Sequence, residues 1–135
     1  MKLLLVIIVC LLASNLLGEA PQIRISIGAQ ADNGDDARMV SALSREFRKL
    51  DNVLVTDAQP ALKVTCVLVR LTHDRSKPPL GYAASIAITG VDDRLITHLV
   101  QTQETIESLS HEIAVSIDGT IIEQLRRETQ ASSSR

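Results

Sequence analysis

The 135-residue chain predicts an α+β fold, a two-layer sandwich in the order β-α-β-β-β-β-α with a mostly antiparallel sheet and two helices on one face. Two observations carry this expectation. Five short runs of alternating or β-branched residues are separated by turn residues, as strands of one sheet are. Two longer segments place their apolar residues on a single stripe at helical spacing, so each helix can bury that stripe only against the sheet. One sheet face is then left open.

The elements follow in order. "IRISIG", from Ile23 to Gly28, alternates apolar and polar residues as a half-buried first strand does. "AQADNGDD" leads into a helix capped by Asp35 or Asp36, whose apolar stripe is Met39, Val40, Leu43, Phe47 and Leu50. "DN" turns the chain into the short strand "VLVTDA", which "QP" ends. "LKVTCVLVRLT" is β-branched on both faces and reads as a central strand; "GYAASIAIT", the turn "GVDD" and "RLITHLVQT" complete an antiparallel meander. The last element repeats Ile106, Leu109, Ile113, Ile117, Ile121 and Leu125 at steps of three or four, a long amphipathic helix in which Gly119 is a weak point. This defines one domain over residues 21–128, with the polar residues 129–135 expected as a frayed tail.

Residues 1–20 have the proportions of a signal peptide: Lys2, an apolar run from Leu3 to Ala13, then small and polar residues. That run is shorter than the roughly 20 residues a membrane-spanning helix needs. Cleavage after Gly18 or Ala20 would leave no integral membrane segment, and a periplasmic or secreted protein is expected. Cys10 lacks the small residues that precede a lipoprotein cysteine. Only Cys66 then remains, so no intramolecular disulfide forms, and its place between Val64 and Leu68 reads as a packed apolar side chain.

Composition narrows the ligand classes. With 14 basic and 16 acidic residues, a net charge of −2, one Phe, one Tyr and no Trp, the chain offers neither a basic field nor stacking platforms for nucleic acid, and no aromatic surface for sugars. "LSHEIAVSID" begins like a zinc-peptidase helix with His111 and Glu112, but the second ligand is due at position 115, which is Val115. His73 and His98 fall in other elements. "DNGDD" lacks the spacing of a calcium loop and is better explained by helix capping. No nucleophile elbow or phosphate-cradling glycine loop is present, so neither a catalytic residue nor a metal or other cofactor is assigned. The alternative is a small exported enzyme or ligand-binding protein whose site gathers scattered polar residues such as His98, Tyr82 and a carboxylate.

"MVSALSREFRKLDNVLVTDA", a helix leading straight into a strand, followed by "LKVTCVLVRL" and "YAASIAITGVDDRLI", resembles a group of small bacterial envelope domains. These are the N-terminal domain of the Tol-system propeller protein TolB and the related domains of curli-secretion and penicillin-binding-protein-activating lipoproteins. The resemblance implies a non-enzymatic domain that works by contacting other envelope proteins, and it transfers no catalytic residue.

Two features suit partner contact. Arg38, Arg45, Arg48 and Lys49 form a basic stripe opposite Met39, Leu43 and Phe47. The connection "THDRSKPPLG" carries Arg75 and Lys77 and is stiffened by Pro78 and Pro79, which lowers the entropy lost on docking. The partner expected is an envelope protein, and the chain itself is expected as a monomer or weak dimer.

Overall fold

The computed structural model describes residues 21–74 and 77–134. The expected leader, residues 1–20, and Arg75 of the proline loop lie outside the described residues. Strands β1 (Ile23–Ala31), β2 (Val53–Val55), β3 (Leu62–Leu71), β4 (Gly81–Thr89) and β5 (Leu95–Gln103) form one sheet in the order β2-β1-β3-β4-β5. Helix α1 (Asp36–Phe47) follows β1; α2 (Ile106–Ile117), a π-turn (Asp118–Ile122) and α3 (Glu123–Ser133) follow β5. The expected α+β class, element order and two layers are all present.

Strand direction differs from the mostly antiparallel expectation. β3, β4 and β5 are the antiparallel meander, but β1 pairs in parallel with both β2 and β3. The cause is the path of the chain. Helix α1 returns it to the start of β1, where Val53 faces Ile23, and β2 ends level with Ile25. Residues 56–61 then pass to the other side of β1, held by the Thr56 N–H on the Ile25 carbonyl (2.9 Å) and the Ala61 N–H on the Arg24 carbonyl (2.8 Å). β3 begins opposite Ile25 and rises in the same sense.

The core lies between the sheet and the helices. Ile23 and Ile25, then Leu62, Val64, Cys66 and Leu68, then Tyr82, Ala84, Ile86 and Ile88 face it from successive strands. Met39, Leu43 and Phe47 of α1 and Ile106, Leu109, Ile113 and Ile117 of α2 close it, all fully buried. Cys66 pairs across the ladder with Ile86 and is completely buried, as expected, and burial pushes its thiol up to about 11.

The C-terminal helix departs from a uniform α-helix at Gly119. Four residues overshoot an α-helical turn by about 40°, so the run of four-residue steps from Leu109 to Leu125 drifts off the core face. The π-turn takes up an extra residue there, and both Ile121 and Ile122 stay buried. The helix also continues to Ser133, beyond the tail boundary expected at position 129. Its hydroxyls turn back on the helix rather than out to water: Thr129, Ser132 and Ser133 donate to the carbonyls of Leu125, Glu128 and Thr129 at 2.7–2.9 Å.

Gly81 opens β4 where β5 comes closest: a Cβ there would stand 2.8 Å from the Gln103 carbonyl oxygen, whereas one on Gly28 would meet nothing within 4 Å. Gly81→Ala should therefore cost about 1–3 kcal/mol through overpacking. Gly28→Ala should be neutral or slightly stabilising. Urea titration checks both, and equal shifts would contradict the close approach.

Candidate interaction surface

The sheet face away from the helices carries the odd-numbered residues of β3 and β4 and the even-numbered residues of β1. Register groups them into rows: Gly28, Thr65, Ala87 and His98; Gln30, Val67, Ser85 and Val100; and Val69, Ala83 and Thr102. A bare antiparallel face ordinarily alternates to polar side chains. Here Val67, Val69 and Val100 are 44%, 46% and 67% exposed, with Leu71 beside them at 41%. The pattern that marked β3 as central is real, but its second apolar face is uncovered.

One polar pair sits among these valines. Ser85 Oγ and His98 Nε2 lie 2.7 Å apart. Sequence reasoning missed this pair, although the meander register about the "GVDD" turn brings position 98 beside position 85. Among the described residues no carboxylate bonds His98, and the neighbouring backbone N–H groups belong to the strand ladders, so no oxyanion hole faces Ser85. Tyr82 is buried on the helix side, so it and His98 occupy opposite faces. The enzyme site imagined from Tyr82, His98 and a carboxylate does not assemble.

The basic stripe is partly consumed within the molecule. Arg38 forks onto Glu107 at 2.8 and 3.0 Å, tying α1 to α2. Glu46 accepts from Lys49 Nζ at 2.6 Å and bonds His111 Nδ1 at 3.1 Å, a second tie between the helices. His111 thus faces a carboxylate on α1, and among the described residues no three metal-binding side chains cluster. Arg45 and Arg48 are exposed and hold no ion pair among the described residues, and the Arg48 N–H closes α1 on the Ser44 carbonyl. Asp35, expected to cap α1, stands at the cap position but sends its carboxylate to Arg70 at the end of β3, 2.7 Å away.

Beyond that ion pair, Asp32, Asn33, Val69, Arg70 and Thr72 line a polar cleft of about 390 Å³. The proline loop starts from it. Lys77 donates its N–H to Asp74, Leu80 closes the loop on the Leu71 carbonyl at 2.8 Å, and Pro78 is exposed while Pro79 is half-buried.

Both helix-bridging glutamates sit below the usual carboxylate range. The Arg38 hydrogen bond is the main cause at Glu107, and the Lys49 hydrogen bond, then that of His111, at Glu46. A depressed carboxylate contributes stability above its unfolded value, about 4.3, and loses it as pH falls through the folded value. Glu46→Gln and Glu107→Gln should therefore flatten the acid limb of melting temperature against pH, each costing about 1 kcal/mol or less at neutral pH because Arg38, Lys49 and His111 are all more than half exposed to water. An unchanged acid limb in both variants would contradict the assignment.

No family model matches the chain, and no curated protein matches it. Among solved structures, the fold is similar to protein XCC0632 from Xanthomonas campestris, of the family DUF330, at 9% identity and a TM-score of 0.54, covering 84% of this chain and 92% of that one. It is also similar to the PelC dodecamer from Paraburkholderia phytofirmans, at 9% identity and a TM-score of 0.51, covering 75% and 88% of the two chains. At this identity the likeness shows the fold alone, that of a small α+β domain.

Proposed function

We propose that the protein is a non-enzymatic, exported binding or assembly domain that works in the bacterial envelope through contact of its open sheet face with another protein. The observation that carries this reading is the set of exposed valines on the open face, Val67 and Val69 on β3 and Val100 on β5, with the small residues Ala83 and Ser85 of β4 between them. Flat apolar surface suits a macromolecular partner, whereas small substrates are held in concave sites with converging polar groups. The leader supports export, and no helix among the described residues is long and apolar enough to cross a membrane. The envelope setting is drawn from the sequence pattern of residues 39–58, 62–71 and 82–96, read as resembling Tol-type and curli-type domains. PelC, similar in fold, is a dodecamer, which does not fit a monomer or weak dimer and brings self-association into the reading.

A photo-crosslinking residue at position 67, compared with one at Glu112 on the outer helix face, tests this in the cells that make the protein. The expected result is a discrete adduct with an envelope protein from position 67 alone, on a chain beginning at Glu19 or Pro21. The same adducts from both positions, or an unprocessed chain in the cytoplasm, would contradict it.

A further inference from the structure

The two edges of the sheet are built differently. β2 is three residues long, and the chain leaves it at once to cross β1, so that edge offers almost no free backbone. β5 runs for nine residues, "LITHLVQTQ", with no strand on its outer side among the described residues and no Asp, Glu, Lys, Arg or Pro in it. Edge strands that stay unpaired are normally short, charged, bulged or interrupted by proline. The one irregularity opposite β5 lies at its beginning, by Ile88 and Thr89. Apolar surface flanks the edge on both sides: Leu95, Ile96 and Val100 are 58%, 50% and 67% exposed, and Val115 of α2 is 52% exposed. The turn carrying Val115 sits beside β5, since Gln101 bonds Ser116 at 3.3 Å.

We propose that β5 pairs antiparallel with β5 of a second copy, about a two-fold axis near Leu99, joining two five-stranded sheets into one of ten. A two-fold pairing sets each residue against its symmetry mate, so a strand suits it only if its two halves tolerate one another. About Leu99 the pairs would be Leu99 with itself, His98 with Val100, Thr97 with Gln101, Ile96 with Thr102 and Leu95 with Gln103. No like charges meet, and such like pairs are what destabilise cross-strand contacts. The row of Gln30, Val67, Ser85 and Val100 would continue across the junction. The edge shares Val100 with the open face, but pairing through the β5 backbone does not rest on the partner proposed there, and Val67→Lys separates the two.

Light scattering over a range of concentrations tests it on the purified protein, alongside Val100→Lys, Val100→Glu and Val67→Lys. The expected result is twice the chain mass for the protein and for Val67→Lys, and the single-chain mass for each Val100 variant. An equimolar mixture of Val100→Lys and Val100→Glu should recover the double mass, because positions 100 are diagonal neighbours across the axis. The outward-facing amides of β5, those not bonded to β4, should resist hydrogen exchange in the unaltered protein at concentrations where the double mass is seen and exchange freely on dilution, which decides the matter even if a variant misfolds. A single-chain mass throughout, or any assembly whose mass the Val100 charges leave unchanged, would overturn the proposal. Loss of association in Val67→Lys would overturn it in favour of a face-to-face contact.

Discussion

Met39, Leu43 and Phe47 on α1 and Ile106, Leu109, Ile113 and Ile117 on α2 have one surface to pack against, the core face of the sheet, and all are fully buried there. Each helix has one stripe, so two helices cover one side of five strands and leave the other to water. Other features follow from this. With both helices on the same side, Arg38 can reach Glu107 and Glu46 can reach His111 across the helix pair. The π-turn holds Ile121 and Ile122 on the covered side when a uniform helix would rotate them away.

The bare side is where a partner would bind, and magnitudes favour it over the charged features. Fully burying an exposed valine contributes about 1.5–3 kcal/mol, and covering the half of each side chain still exposed here would contribute about half of that apiece. An exposed ion pair contributes about 0–1 kcal/mol, and Arg38 and Lys49 would first have to leave Glu107 and Glu46. Val67, Val69 and Val100 therefore outweigh the basic stripe as a source of binding energy. Arg45, Arg48 and the exposed Pro78 are left to orient a partner rather than to hold it.

Much of the fold was legible in the sequence because alternation and helical spacing report burial directly. Cys66 between Val64 and Leu68, and the meander through Tyr82 to Gln103, stand where their patterns put them. The direction of β1 against β3 was not legible, since an alternating strand has the same pattern in parallel and antiparallel pairing; the crossing at residues 56–61 decides it. The π-turn did leave a signal, the unbroken steps of four that a 3.6-residue helix cannot keep on one face. Arg38 looked free because its partner is 69 positions away, and Asp35 looked like a cap because Arg70 is 35 away. The open face was predicted from the count of helices, but its valines acquire meaning only once register sets positions 67 and 100 in one row, on either side of Ser85.

Thiol labelling compared between the purified protein and intact cells tests the role of this face most directly. Thr65→Cys places a thiol on the exposed face, and the buried native Cys66, its thiol pushed up to about 11, contributes almost no background. Glu112→Cys serves as the control on the exposed helix side. Both variants should label fast when purified, and in cells position 65 should react slowly while the rate at position 112 is unchanged. Equal rates at position 65 in the two settings would show that the face stays bare where the protein works, and would contradict that role.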